Sequence, residues 1–293
     1  MKVWRAITSP WLEVVAMRKL LTANFFRLWK NKIFWTEIGS TALFSVFIVI
    51  ANYSPEVQAT ENRLYLDDVF FTMYQILGFI LAAGISLIVG TEYSDGTIRN
   101  KLTVGSTRTQ VYFSNLIASA ILSCFVLIVH GIITYVIGYF LFGSFQMQVG
   151  QVVTALLCAL LTSFVFSALF VAIAMNCPNK AITAVVSLLL VLGLVYLSSA
   201  IGNALTEPEM TYDGITITMD GVQFGEEIQN PAHVDGFNRT LYEFVYDLLP
   251  TGQLIQMYCQ DFSRCARWPV FSMVLFVLIT AIGFLAFRKR DIR

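Results

Sequence analysis

Long apolar runs, almost free of charge along their length, restrict this chain more than any other feature. They lie near 34–53, 69–90, 109–141, 149–175, 180–204 and 268–287. About 20 mainly apolar residues suffice to cross the hydrocarbon core of a bilayer. Inside that core every backbone N–H and C=O needs an internal partner, which favours helices. The chain is 57% hydrophobic and 13% charged, against about 25% charged in soluble domains. The expectation is an all-α polytopic membrane protein with six transmembrane helices. The third run is longer than one crossing needs, so it tilts or projects beyond the bilayer. No leader with a short apolar core and a small-residue cleavage site stands out, so the mature chain is expected to start at Met1.

The charges are segregated. Lys2, Arg5, Arg18, Lys19, Arg27, Lys30 and Lys32 precede the first run, Arg99, Lys101 and Arg108 follow the second, and Lys180 follows the fourth. Arg288, Lys289, Arg290 and Arg293 follow the sixth. Only Arg63, Arg239, Arg264 and Arg267 fall in the opposite loops. The positive-inside bias puts both termini in the cytoplasm, as an even number of spans requires. A net charge of +0 gives no bulk attraction to nucleic acid. Residues 1–33 read as a cytoplasmic arm with an interfacial helix. Val14, Met17, Leu21, Phe25 and Leu28 share one face at helical spacing, with Lys19, Arg27 and Lys30 roughly opposite. Trp11 and Trp29 suit headgroup level, and the basic face attracts anionic lipid.

Between the second and third runs lies a polar island, residues 90–110. Ser94 or Asp95 is placed to cap a short helix, Gly105 to end it in a left-handed turn, and Thr107 with Gln110 to open the next span as a capping box. Its core, Glu92-Tyr-Ser-Asp-Gly-Thr-Ile-Arg-Asn-Lys-Leu102, resembles the E-Y-x-x-G-T-[IL]-[RK] signature of ABC-2-type transporter permeases. Leu249-Pro-Thr-Gly-Gln253 before the last span is a weaker match. The resemblance implies a coupling helix over 92–104 that docks on a soluble ATP-binding-cassette ATPase. The residues carried over are Glu92, Asp95, Gly96, Thr97, Arg99, Asn100 and Lys101. It also implies an N-terminal elbow helix, a second permease copy or paralogue, and residence in a bacterial plasma membrane. ATP and magnesium would sit on the partner subunit, leaving this chain without a cofactor.

Residues 34–204 form the first five spans, 205–267 a small extracellular β/α insertion, and 268–293 the last span with its basic tail. Met210–Tyr212, Ile215–Met219 and Val222–Phe224 are β-prone runs separated by Asp213-Gly214 and Asp220-Gly221, which predicts a three-stranded meander. Residues 238–262 read as two helices broken at Pro250, with Thr251 capping the second. In the resembled family such helices dip into the membrane and close the exit. Cys259 and Cys265 are either a disulfide or free thiols. Asn238-Arg-Thr240 is a glycosylation acceptor that would matter only in a eukaryotic host.

Within the spans, His130 is either interhelical glue or a proton relay. Gln75 and Asn203 are candidates to line a path or, equally, to bond between helices. Glu37 is expected at the interface. Gly78-x-x-x-Ala82 and Ser198-x-x-x-Gly202 allow close helix approach, in internal packing or at a subunit seam. No G-x-x-x-x-G-K-[ST] or H-E-x-x-H run occurs, so no catalytic or metal site is expected. The leading reading is the permease subunit of an ATP-driven exporter of amphipathic or hydrophobic cargo: peptide, antibiotic, drug or lipid. Its rivals are an ion-gradient carrier, which needs intramembrane carboxylates, and a sensory or structural protein that binds a ligand through its outer loop.

Overall fold

The computed structural model describes residues 10–61, 63–218 and 221–290. Lys2, Arg5, Arg293 and Asp220, and the side chains of Trp11 and Val14, lie outside what it describes. The elements are α1 (Pro10–Lys30), α2 (Lys32–Ala51), α3 (Pro55–Gln58), α4 (Leu66–Phe70), α5 (Tyr74–Ser94), α6 (Thr97–Thr103), α7 (Arg108–Phe142), α8 (Val149–Asn176) and α9 (Lys180–Thr206). There follow β1 (Met210–Tyr212), β2 (Ile215–Thr218), β3 (Gly221–Phe224), β4 (Glu227–Gln229), α10 (Gly236–Leu248), α11 (Pro250–Tyr258) and α12 (Trp268–Lys289).

Among the described residues, six stretches are long and apolar enough to cross a membrane: α2, α4 with α5, α7, α8, α9, and α12 with the 3-10 turn before it. The second is broken at Phe71–Met73. The 35 residues of α7 form one helix of about 52 Å, longer than a bilayer is thick. Local signals set several helix starts. Asn31 accepts from Ile33 N at 2.9 Å to open α2, and Asn179 accepts from Ala181 N at 2.9 Å to open α9. Thr107 and Gln110 exchange bonds of 3.2 and 3.0 Å, forming the capping box that opens α7.

The middle helices are α5 and α8; α9 and α12 lie outside them. Their interfaces follow membrane logic, with small and hydroxyl residues between helices and large apolar ones facing out. Ser86 donates to Ser187 at 2.7 Å, and Ser123 and Ser167 lie 2.7 Å apart. Phe140, Leu189 and Ile282 are exposed. Both small-residue pairs serve internal packing. A Cβ on Gly78 would lie 3.1 Å from Phe166 and Val191, and one on Gly202 would lie 2.9 Å from the Tyr246 hydroxyl.

The outer insertion differs from the expected meander. β1 pairs with β4 and β2 with β3, all antiparallel, with one register running from Met210↔Gln229 to Thr218↔Gly221. Asp213 N donates to Glu226 O and Gly225 N to Gly214 O, so the ladder passes straight through Asp213-Gly214. This is one long hairpin, with its tip outside the described residues. The Asp-Gly signal at 213–214 marks a mid-ladder irregularity, because its flanking strands find partners further along the chain and not each other.

Candidate functional site

Functional polar groups gather at two levels. The basic end of the bundle is where α1, α6, the α8–α9 turn and the C-terminus of α12 meet. The acidic end carries the hairpin, α10 and α11.

At the basic end α5 runs on through Ser94, and Asp95 is its C-cap. The expected capping of α6 by Ser94 or Asp95 does not occur. Gly96 occupies the N-cap position at φ 69°, a left-handed conformation that favours glycine. Ser94 Oγ turns back to Thr91 O. Gly105 leaves α6 at φ 105°. The short helix is thus bounded by two glycine turns, and Ile98 is its buried anchor.

Glu92, near the end of α5, is the hub. Its side chain is 8% exposed and holds Arg27 of α1 at 2.9 Å and Lys101 of α6 at 2.8 Å. Lys101 also donates to Asn24 Oδ1 at 2.8 Å, and Asn24 donates to Ser114 Oγ of α7 at 3.0 Å. A single polar string therefore ties α1, α5, α6 and α7. Burial pulls the Lys101 ammonium below its usual range, and the Glu92 carboxylate opposes that shift. Both residues, expected on the docking surface, face inward: Lys101 is 11% exposed and lies over Glu92. The outward face of α6 and its flanks carries Asp95, Arg99, Asn100, Thr103 and Val104, the last 88% exposed. Thr97 and Gly96 are half-buried.

The last helix is fastened here too. Arg108, at the start of α7, donates to Phe287 O at 2.9 Å, to Arg288 O at 3.3 Å and to Arg290 O. These carbonyls lie at the C-terminal end of α12, where Phe287 O also accepts from Arg290 N. Arg290 donates to Asn176 O and lies 5.4 Å over the Tyr93 ring. Charge counting had registered Arg108 and Arg290 only as orientation signals.

At the acidic end α11 is sunk into the bundle. Pro250 is its first residue and Leu249 its N-cap, so the break falls at Pro250, but Thr251 does not cap the helix. Its hydroxyl instead lies 2.6 Å from Ser198 Oγ and donates to Leu194 O at 3.0 Å. Gln253 Oε1 accepts from Thr162 and Ser272 at 2.8 Å each, and its amide donates to Asp247 O at 2.8 Å. Leu194 and Thr162 sit near the midpoints of α9 and α8, so the tip of α11 reaches mid-bundle. Asp247 is fully buried and pairs with Arg264 at 3.1 Å, and Arg264 also donates to Gln256.

The expected path residues are not brought together. His130 is 1% exposed; its Nε2–H donates to Phe70 O at 3.0 Å, which leaves Nδ1 to accept beside Ser45 at 2.9 Å and Thr134 at 3.2 Å. That is the geometry of interhelical glue between α2, α4 and α7. Gln75 and Asn203 are exposed. Cys259 and Cys265 are free thiols, not a disulfide; burial pushes the Cys259 thiol up. Glu37 is buried, not interfacial: it fills the hollow that Gly84 leaves, where a Cβ would lie 2.7 Å from its carboxyl carbon. Among the described residues its Oε1 and the Thr41 hydroxyl have no hydrogen-bond partner. Nothing local in the sequence announces this, because Gly84 lies on another helix.

A search of the curated proteins finds no match. A family model described as "ABC-2 family transporter protein" matches residues 20–211, from α1 to β1. That match takes in the Glu92 hub and α6 and covers well over half of the chain, so the chain belongs to the ABC-2 family of transporter proteins.

Proposed function

We propose that this multi-pass permease is the membrane half of an ATP-driven exporter in a bacterial plasma membrane, with both termini in the cytoplasm. One observation carries the reading. α6 is a surface helix with two faces: one offers Asp95, Arg99, Asn100, Thr103 and Val104 outward, while the other is tied through Lys101 and Glu92 to α1 and α5. A soluble ATPase docking on the outward face would pull on the string and shift the bundle between two states. Glu92 and Lys101 then transmit, while Arg99, Asn100 and Val104 touch the partner. ATP and magnesium belong to that partner, and a second copy or a paralogue completes the path. The apolar spans suit an amphipathic or hydrophobic cargo.

The test uses Val104→Cys on a background whose native cysteines are replaced. In inside-out vesicles a membrane-impermeant maleimide labels the new thiol, and bound ATPase subunit protects it. Labelling only in right-side-out vesicles would defeat the orientation and the docking together. The buried Glu37 favours one second reading, an ion-gradient carrier. Cargo movement in ATP-free vesicles under an imposed gradient, lost in Glu37→Gln, would establish that alternative.

A further inference from the structure

We infer that a cavity at the basic end is a binding site for one phospholipid with an anionic headgroup, drawn from the leaflet on that side. The cavity, of about 400 Å³, lies between α1, the last turns of α5 and the first turns of α7. Ligand cavities typically span about 300–1,000 Å³. Its lining changes character along the bundle axis in the same sense on two helices. On α5 the order from the basic end inward is Glu92, Thr91, Val89, Ile88 and Ile85; on α7 it is Asn115, Ala118, Ser119 and Leu122, so the innermost lining residue of each is apolar. The polar end also receives Asn24, Arg27 and Lys30 from α1. A lipid of that leaflet has the same gradient, headgroup at the bundle end and chains toward the middle.

The charge at the polar end favours an anion. Glu92 is a single carboxylate facing both Arg27 and Lys101. Lys30 lines the same cavity and makes no ion pair among the described residues. Arg27 keeps 43% of its side chain exposed, so its guanidinium has donors left after meeting Glu92. A phosphodiester seated there would take charge-assisted hydrogen bonds from Arg27 and Lys30. The first methylenes of its chains would lie against Ile88 and Ala118, which are part-exposed. Phe26, which lines the cavity and is 61% exposed, adds apolar surface at the mouth. The site touches the Glu92 string directly, so an occupied cavity stiffens the junction of α1 with α5. The inference goes beyond the exporter reading and does not need an ATPase partner.

The experiment is native mass spectrometry of the purified full chain from mixed micelles containing phosphatidylglycerol or phosphatidylcholine with identical chains. The wild type is expected to retain one phosphatidylglycerol at least tenfold more than phosphatidylcholine. Lys30→Gln, which leaves the Glu92 string untouched, should cut that preference about threefold, and adding Arg27→Gln should bring it near one. Ala118→Phe fills the cavity and should lower retention about tenfold with the melting temperature unchanged. Equal retention of the two lipids by wild type, or full retention by Ala118→Phe, overturns the site. Competition by chain-free glycerophosphoglycerol as strong as by the lipid itself overturns the lipid assignment, because it marks a water-soluble phosphate site instead.

Discussion

The polar nodes at the two ends of the bundle are built from similar chemistry and held in opposite ways. At the acidic end Asp247 is completely buried, and α11 is fixed by bonds to the middles of α8 and α9 and to the first turns of α12. At the basic end Glu92 is nearly buried, but its Arg27 partner is half in water, and the seven residues of α6 are held through Ile98, Lys101 and Leu102. A buried ion pair with hydrogen-bonded neighbours is costly to break from one side. A partly exposed pair such as Arg27 with Glu92 is not. The acidic end is therefore a fixed wedge and the basic end a yielding joint. That is the distribution expected of a machine pushed from one side.

Breaking the wedge should give the largest effects. Arg264→Met leaves the buried Asp247 with Arg267 alone, 3.8 Å away and 60% exposed. A loss of about 3 kcal/mol, the low end of the cost of breaking a buried pair from one side, is expected, read as a large drop in melting temperature in detergent. Gln253→Leu removes the acceptor of two buried hydroxyls and should cost about 2–3 kcal/mol by the same assay. At the joint, Lys101→Met leaves Glu92 with Arg27 and should cost only about 1–2 kcal/mol. Equal losses at both ends would erase the contrast. Smallest is the replacement of Cys259 and Cys265 by serine. Both thiols are free, so stability should stay within about 0.5 kcal/mol. A large loss, or a gel shift on reduction, would reveal a bond between them.

The contrast was only partly legible in the sequence. Apolar run length announced the spans, and the pair Thr107 and Gln110 announced the start of α7, because both are local signals. The direction in which Lys101 points was not legible. A helix of seven residues is too short to show a periodic stripe, and its buried side is set by Glu92 and Asn24 on other helices. Pro250 marked the break before α11 but not its depth, which follows from hydroxyls on α8, α9 and α12. Gly252 hints at it: a Cβ there would lie 2.1 Å from Tyr246 O, so only glycine lets α10 fold back on α11. Burial there pushes the Tyr246 phenol up to about 12. Asp-Gly pairs misled at 213–214, since the turn signal is local and the strand partner is not.

The central claim is that the outward face of α6 receives an ATPase while its inward face holds the bundle. The most direct measurement is the number of ATP-binding-cassette subunits bound per permease, by mass photometry of complexes purified in parallel. Arg99→Glu with Val104→Asp should bind none, while Lys101→Met and the Cys259/Cys265 serine variant should bind as wild type does. Wild-type occupancy in the Arg99→Glu, Val104→Asp protein would contradict the account.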